Sequence, residues 1–168
     1  GKQIAKKKLP TWFNNNEILY PVRLSMEQCS SEETAKYKTK IINSGSGIDL
    51  TGGFGVDTIF LSKKCESMIY CERNEDLASL VTHNFKALNQ HNCEVYVGDG
   101  VEYLKNLKKI DLIFVDPSRR KESQRIYRLE DCEPNVIDLI GLFFDKAERV
   151  LIKTAPLLDI QQTLSDLE

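Results

Sequence analysis

Four short segments carry the residues able to do chemistry, and each follows an apolar run. The first is Asp49-Leu50-Thr51-Gly52-Gly53-Phe54-Gly55-Val56-Asp57. Its glycines permit a tight turn and close approach of backbone to a ligand. A helix starting there presents free N–H groups and a partial positive charge, which suits a carboxylate or phosphate. Asp49 is placed either to accept from an ammonium group or to hold the loop. The second segment ends Tyr70-Cys71-Glu72. An acid at that spot can accept from both hydroxyls of a ribose, as in dinucleotide sites with an acid about 20 residues past the glycines. The third is Val97-Gly98-Asp99-Gly100. Its Asp can accept from an exocyclic adenine amine, although Asp-Gly is also a common turn. The fourth, Val115-Asp116-Pro117-Ser118-Arg119-Arg120, sets an acid and a rigid proline before basic residues. Arg119, Arg120, Lys121, Arg125 and Arg128 crowd cations beside that acid. They read as a phosphate-binding loop with Tyr127 as a base-stacking partner, or as a solvated loop. Lys153, after the last apolar run, either faces the same place or snorkels at a strand end.

These residues need a scaffold, and the apolar pattern supplies one. Short runs at 47–50, 68–71, 94–97, 111–115 and 150–153 are too brief for stable helices, and several are rich in Val, Ile and Tyr. Helical patterns separate them. Asn74 precedes Glu75-Asp76, with Leu77, Leu80, Val81, Phe85 and Leu88 at helical spacing. Pro134 suits a first helical turn ahead of Val136, Ile137, Ile140, Phe143, Phe144 and Ala147. Ile160, Leu164 and Leu167 open a further helix. Strands alternating with helices predict an α/β fold with a parallel sheet and right-handed crossovers. Ligands of such sheets bind beyond the carboxyl ends of the strands, near the point where strand order reverses. All four segments lie at such ends.

Residues 1–44 read as an N-terminal extension and 45–168 as the sheet domain. The first ten residues read as a mobile basic arm whose lysines (Lys2, Lys6, Lys7, Lys8) are solvated. Trp12 and Phe13 read as anchors onto the core. Ser30-Ser31-Glu32-Glu33 reads as a capping box in which Ser30 accepts from the Glu33 N–H. The helix it opens runs over 31–42 and stops at Asn43-Ser44-Gly45. Gln28, Ser30, Ser31 and Thr34 can also form a lid over the ligand. Asn84, mid-helix among apolar neighbours, reads as a satisfied buried amide.

At 168 residues the chain is one domain's worth, and 41 % hydrophobic with 29 % charged residues is ordinary for a globular protein. No apolar run approaches the roughly 20 residues of a membrane helix, and no secretory signal is legible. A net charge of −2 argues against a non-specific nucleic-acid binder but allows local basic patches. Cys29, Cys65, Cys71, Cys93 and Cys132 form no CxxC pair, and His83 and His91 complete no zinc site. They read as reduced thiols of a cytoplasmic protein with neither a metal ion nor a membrane as partner. Oligomeric state leaves no legible signal.

From residue 46 to 156 the sequence resembles class I S-adenosylmethionine-dependent methyltransferases. DLTGGFG is similar to their glycine-rich motif I, which implies cofactor contacts from Asp49, Thr51, Gly52, Gly53, Phe54 and Gly55. Glu72 matches the ribose-binding acid, with Arg73 beside it, and Asp99-Gly100 the adenine-proximal acid. Asp116-Pro117 resembles the acid-proline motif of enzymes that methylate amino groups of bases. That implies Asp116 and Pro117 as catalytic residues and Ser118, Arg119, Arg120, Lys121, Tyr127 and Lys153 as substrate contacts. CERN, VDP and RVLIK are similar to bacterial ribosomal-RNA methyltransferases that modify the exocyclic amine of guanine. LSMEQCSSEETAKYK resembles uncharacterised bacterial methyltransferase-like proteins that carry a C-terminal THUMP-like domain. The resemblance implies a Rossmann-like, mostly parallel sheet with helices on both faces, S-adenosyl-L-methionine as cofactor and RNA as substrate. It implies seven strands, so the last two are missing here and a sheet edge is left open. Thr51 departs from the first glycine of GxGxG, and its hydroxyl can contact the cofactor's carboxylate. Ser118 departs from the aromatic expected after the proline. Other readings are a non-catalytic nucleoside- or RNA-binding domain, or methylation of a small molecule or protein. A nicotinamide-dependent oxidoreductase fits worse, because Thr58 falls where GxGxxG needs its third Gly or Ala.

Overall fold

All five apolar runs become strands of one parallel sheet. The computed structural model describes residues 1–119, 129–154 and 164–165. The strands are β1 (Ser44–Asp49), β2 (Cys65–Glu72), β3 (Cys93–Val97), β4 (Ile110–Val115) and, after the short β5 (Ser118–Arg119) and β6 (Cys132–Glu133), β7 (Ala147–Ile152). The sheet order is β3-β2-β1-β4-β7, and every neighbouring pair is parallel. Strand order therefore reverses between β1 and β4, where the crevice of such a sheet opens. Successive residues of β4 face opposite sides: Leu112 and Phe114 pack on one, Ile113 and Val115 on the other.

Several strands start ahead of their apolar runs. β1 recruits Ser44-Gly45-Ser46 because the Asp111 carboxylate on β4 accepts from both the Ser46 N–H (2.6 Å) and its hydroxyl (3.0 Å). Helices α5 (Val56–Ser62), α6 (Glu75–Ala87), α7 (Gly100–Asn106) and α8 (Val136–Lys146) fill the intervals. Asn74 caps α6 by accepting from the Leu77 N–H. At α8 the cap is Asn135, accepting from Ile137, so Pro134 stands just before the helix and not in its first turn. Phe143 is fully buried there, whereas Phe144 is exposed. The helix expected from Ile160 lies outside the described residues except for 164–165, which are helical.

The first ten residues are not a mobile arm. Lys2–Lys8 forms α1, followed by α2 (Pro10–Phe13), α3 (Arg23–Gln28), α4 (Glu32–Lys38) and a 3-10 turn, Thr39–Ile41. Ala5, Leu9 and Trp12 are fully buried and share one cluster with Met26, Phe54, Phe60, Tyr70 and Phe85. The lysines flank an apolar face that only the folded chain reveals. The Lys8 ammonium donates to the Met26 and Glu27 carbonyls near the end of α3. Trp12 and Phe13 do anchor the segment. Asn84 is a satisfied amide: it accepts from the Leu19 N–H (2.9 Å) and donates to the Leu19 carbonyl (2.8 Å). The helix cap falls at Ser31, one residue after the expected Ser30, with the Thr34 N–H and not that of Glu33 as the donor. Glu32 turns away to accept from the N–H and hydroxyl of Thr11.

One buried carboxylate shapes the turn from β1 into α5. Asp49 accepts from the Thr51 N–H (3.0 Å) and from the Thr58 hydroxyl (2.6 Å). Burial pushes its pKa up to about 7 against the pull of those hydrogen bonds, with the charges of Asp57 and Asp116 adding to the rise. An unfolded Asp releases its proton near 4. Between those values the folded chain holds a proton that the unfolded chain has lost. Asp49 therefore stabilises the fold fully at low pH and loses that contribution as pH rises through about 7.

Two outcomes follow for equilibrium denaturation. Trp12→Ala should lower stability by about 3–5 kcal/mol, the range for deleting a large buried aromatic. Asp49→Asn should flatten the decline of stability between about pH 4 and pH 7, which one such proton makes as steep as about 1.4 kcal/mol per pH unit. An unchanged slope in the variant would show that Asp49 is ionised throughout.

Candidate functional site

The glycine turn is the meeting point of three strand ends. The Asp116 N–H, just past β4, donates to the Thr51 hydroxyl at 2.8 Å. That hydroxyl also points to Asp49 at 3.4 Å. The side chain thus joins the ends of β1 and β4. From the end of β2, Glu72 accepts from the Gly53 N–H (3.0 Å) with one oxygen and from the Asn74 N–H (2.8 Å) with the other. The Tyr70 hydroxyl donates to the Gly53 carbonyl at 2.6 Å, and the Gly52 N–H to the Cys71 carbonyl at 2.8 Å. Gly53 and Gly55 hold φ values of +53° and +76°, which a side chain would strain. Phe54 differs from expectation. Its ring is buried with its centroid 6.4 Å from that of Trp12 and 6.3 Å from that of Tyr20, so only its backbone can meet a ligand.

Asp99 caps α7 by accepting from the Val101 N–H (2.8 Å) and Glu102 N–H (3.2 Å). The Arg73 guanidinium pairs with it at 2.5 Å and reaches Glu133 at 3.2 Å. Partial burial would raise the Asp99 pKa, but the two helix N–H groups and Arg73 outweigh it and hold the carboxyl below its usual range. Gly100 serves packing: a Cβ there would meet the Leu50 carbonyl oxygen at 2.6 Å, so the helix start lies directly on the β1 turn.

Asp116 is half-buried and takes the Lys153 ammonium on one carboxylate oxygen. Lys153 therefore faces the site and not the solvent beyond the strand. Burial raises the Asp116 pKa, Lys153 opposes it most strongly, and Asp57 and Lys38 act in opposite directions; the net shift is upward. Pro117 is half-buried. Ser118–Arg119 pairs antiparallel with Cys132–Glu133, and the Ser118 hydroxyl donates to the Glu133 carbonyl at 3.3 Å. This ladder closes the base of the basic segment. Arg120, Lys121, Arg125, Tyr127 and Arg128 themselves lie outside the described residues.

A buried network escaped the sequence reading. The Lys38 ammonium donates to Asp57 (2.6 Å) and to the Ser30 hydroxyl (3.1 Å), while Ser30 donates to the other Asp57 oxygen (2.6 Å). It bolts α4 onto the first turn of α5, and the Lys38 charge sits 5.5 Å from the Phe114 ring centroid. Ser30 is thus spent on Asp57 and not on a helix cap or a lid. The available signal was a lysine three residues after Ala35, on the helix face that Ala35 buries.

Cys65, Cys71 and Cys132 are buried, and Cys29 and Cys93 half-buried. Burial raises the Cys29 and Cys71 thiols and pushes Cys93 up to about 11, so these are neutral thiols at physiological pH. Among the described residues there is no cluster able to hold a metal ion, and no helix is long and apolar enough to cross a membrane.

Comparison with known proteins agrees with this architecture. A protein from Porphyromonas gingivalis W83, described as a "putative methyltransferase", is 37 % identical with a TM-score of 0.88, covering 98 % of this chain and 41 % of that one. A Streptococcus mutans protein of the same description, solved in complex with SAH, shares the fold at 18 % identity and a TM-score of 0.51, over 70 % of this chain and 65 % of its own. A Methanococcus vannielii protein, "Probable cobalt-precorrin-6B C(15)-methyltransferase (decarboxylating)", is 29 % identical over 76 residues, 45 % of this chain and 42 % of that protein. The chain thus spans about two fifths of the length of the Porphyromonas and Methanococcus proteins. The sheet is the Rossmann-like sheet of methyltransferases, with five strands. A family model described as Conserved hypothetical protein 95 matches residues 28–133, from the end of α3 to the end of β6, and the chain belongs to that family.

Proposed function

We propose that this chain is the S-adenosylmethionine-binding domain of a methyltransferase that acts on an exocyclic amine of an RNA base, guanine before adenine. The observation that carries the reading is the hydrogen bond from the Asp116 N–H to Thr51. It sets the acid that would receive an acceptor amine directly against the glycine turn that would receive the donor. The turn fits such a group: a Cβ on Gly53 would meet nothing nearer than 3.8 Å, so its outer face is open, and acids flank it at Glu72 and Asp99. The Porphyromonas and Methanococcus relatives, both methyltransferases by description, support the activity, and the Streptococcus mutans protein of the same fold was solved with SAH.

When bound, S-adenosylmethionine supplies a methyl group on a sulfonium that leaves readily. The protein's task is then mostly alignment. Glu72 would orient the ribose, while Arg73 and Asp99 would frame the adenine end. Thr51, Gly52, Gly53 and Gly55 shape the turn, and Asp49 holds it from beneath. Asp116 accepts one N–H of the acceptor amine, which localises the lone pair toward the methyl and stabilises the charge that develops. The Pro117 carbonyl takes the second N–H. A base inside a helix is out of reach, so the target is unpaired or flipped. Ser118, Arg119, Arg120 and Lys121 bind RNA phosphates, with Tyr127 stacking on a base. The basic segment and the resemblance to ribosomal-RNA enzymes favour RNA over other acceptors. A THUMP-like domain in the parent protein would supply further RNA contacts in the cytoplasm.

Calorimetry with S-adenosylhomocysteine, followed by methyl transfer to unmethylated ribosomal-RNA transcripts, tests this. Glu72→Ala should weaken S-adenosylhomocysteine at least tenfold. Asp116→Asn should leave that affinity within about threefold but slow transfer by about 10²-fold, the scale of losing one transition-state hydrogen-bonding partner. Binding of NAD in place of S-adenosylhomocysteine would sink the reading.

A further inference from the structure

We infer that Lys153 is a positioning residue for methyl transfer, fixing the Asp116 carboxylate by one oxygen so that the other is left for a neutral acceptor amine. The inference rests on the role proposed above for Asp116. Its geometry comes from the sheet. β4 and β7 are parallel neighbours, with Val115 opposite Ile152, and the Lys153 N–H donates to the Val115 carbonyl at 2.9 Å. Positions 116 and 153 therefore stand side by side just beyond the strand ends. The Lys153 ammonium donates to Oδ2 of Asp116. Among the described residues no hydrogen bond is made to Oδ1. Both side chains are partly exposed, 25 % for Lys153 and 33 % for Asp116, so the pair is not sealed in the core.

The surrounding charges show why a partner is needed there. Asp116 feels two further acids, Asp57 and Asp49, and two lysines, Lys38 and Lys153. Lys38 is already committed to Asp57 and Ser30. Cys29, near Lys153 and Asp57, is a neutral thiol. Among the described residues Lys153 is thus the cation available to Asp116. Without it, burial and the neighbouring acids would favour a protonated carboxyl, which donates from one oxygen and is a poor acceptor for an incoming N–H. The pair also sets acceptor class. A neutral ion pair offers no net attraction to a lysine or arginine side chain, and the ammonium repels it. An uncharged aryl amine meets no such opposition.

The test uses Lys153→Met, which keeps the apolar stem, and Lys153→Arg, which keeps the charge. Carboxyl-¹³C aspartate NMR, with the Asp116 signal assigned from Asp116→Asn, follows its titration without any acceptor. Lys153→Met should raise the Asp116 midpoint by about one pH unit or more, and Lys153→Arg should restore it. S-adenosylhomocysteine affinity, by calorimetry, should stay within threefold in both. With unmethylated ribosomal-RNA transcripts, Lys153→Met should lose several-fold in kcat at low pH and recover toward wild type by pH 9, with KM for S-adenosylmethionine unchanged. A purely structural role would give no such rescue by pH. An Asp116 midpoint that does not move in Lys153→Met overturns the inference. A midpoint that moves while the wild type methylates no transcript keeps the Lys153–Asp116 coupling and removes the RNA reading alone.

Discussion

Asp49 ends β1 with a carboxylate that water scarcely reaches, and its hydrogen bonds join the turn to the helix behind it. One oxygen holds the Thr51 N–H and the other the Thr58 hydroxyl, so the chain between them is drawn into a closed loop. With Thr51 held, its hydroxyl accepts from Asp116. With the loop closed, Gly53 presents its N–H to Glu72 and its carbonyl to Tyr70. The ends of three strands are thereby referenced to one turn. A buried carboxyl without partners would cost several kcal/mol. Here the satisfied one makes the loop's geometry a property of the core.

The N-terminal helices belong to that same core. Trp12 and Phe54 share a cluster, so the glycine turn is backed on one side by residues more than 40 positions upstream. Asn84 performs the service of a strand neighbour for Leu19. The Lys38–Asp57–Ser30 network then ties α4 to the first turn of α5. Two charges that far from water are tolerable because both are hydrogen-bonded as well as paired. The N-terminal helices thus back the glycine turn, held by Trp12 against Phe54 and by Lys38 against Asp57.

The carboxylates at the strand ends differ in how each is held. Asp99 has two helix N–H groups and a guanidinium, enough to keep it firmly ionised despite partial burial. Glu72 uses both oxygens on backbone N–H groups. Asp116 is the outlier, half-buried near other acids and answered mainly by Lys153, which does not fully offset its burial. A parallel sheet brings these groups together because it gathers every strand's carboxyl end on one side.

The sequence by itself determined the strands and their order of use. Short apolar runs broken by helical spacing leave few alternatives to a parallel sheet, and the acids and glycines after those runs must then gather at one end. Asn74 as a cap and Asn84 as a buried amide were legible because their chemistry is local or their surroundings are uniformly apolar. Tertiary structure decided what each side chain does once gathered. Ser30 and Glu33 read as one local cap, yet Ser30 joins a buried ion pair with Asp57, and the neighbouring Glu32 holds Thr11. Lysines 2 to 8 read as solvent-bound because charge dominates the local pattern, while burial of Ala5 and Leu9 against Trp12 made them a helix. Phe54 sat inside a ligand-binding motif, yet its ring was claimed by the core. Lys153 chose the site over solvent only because β7 lies beside β4, a pairing between residues far apart in the chain. Local spacing fixes what a residue can bond, and long-range packing selects which of those partners arrives first.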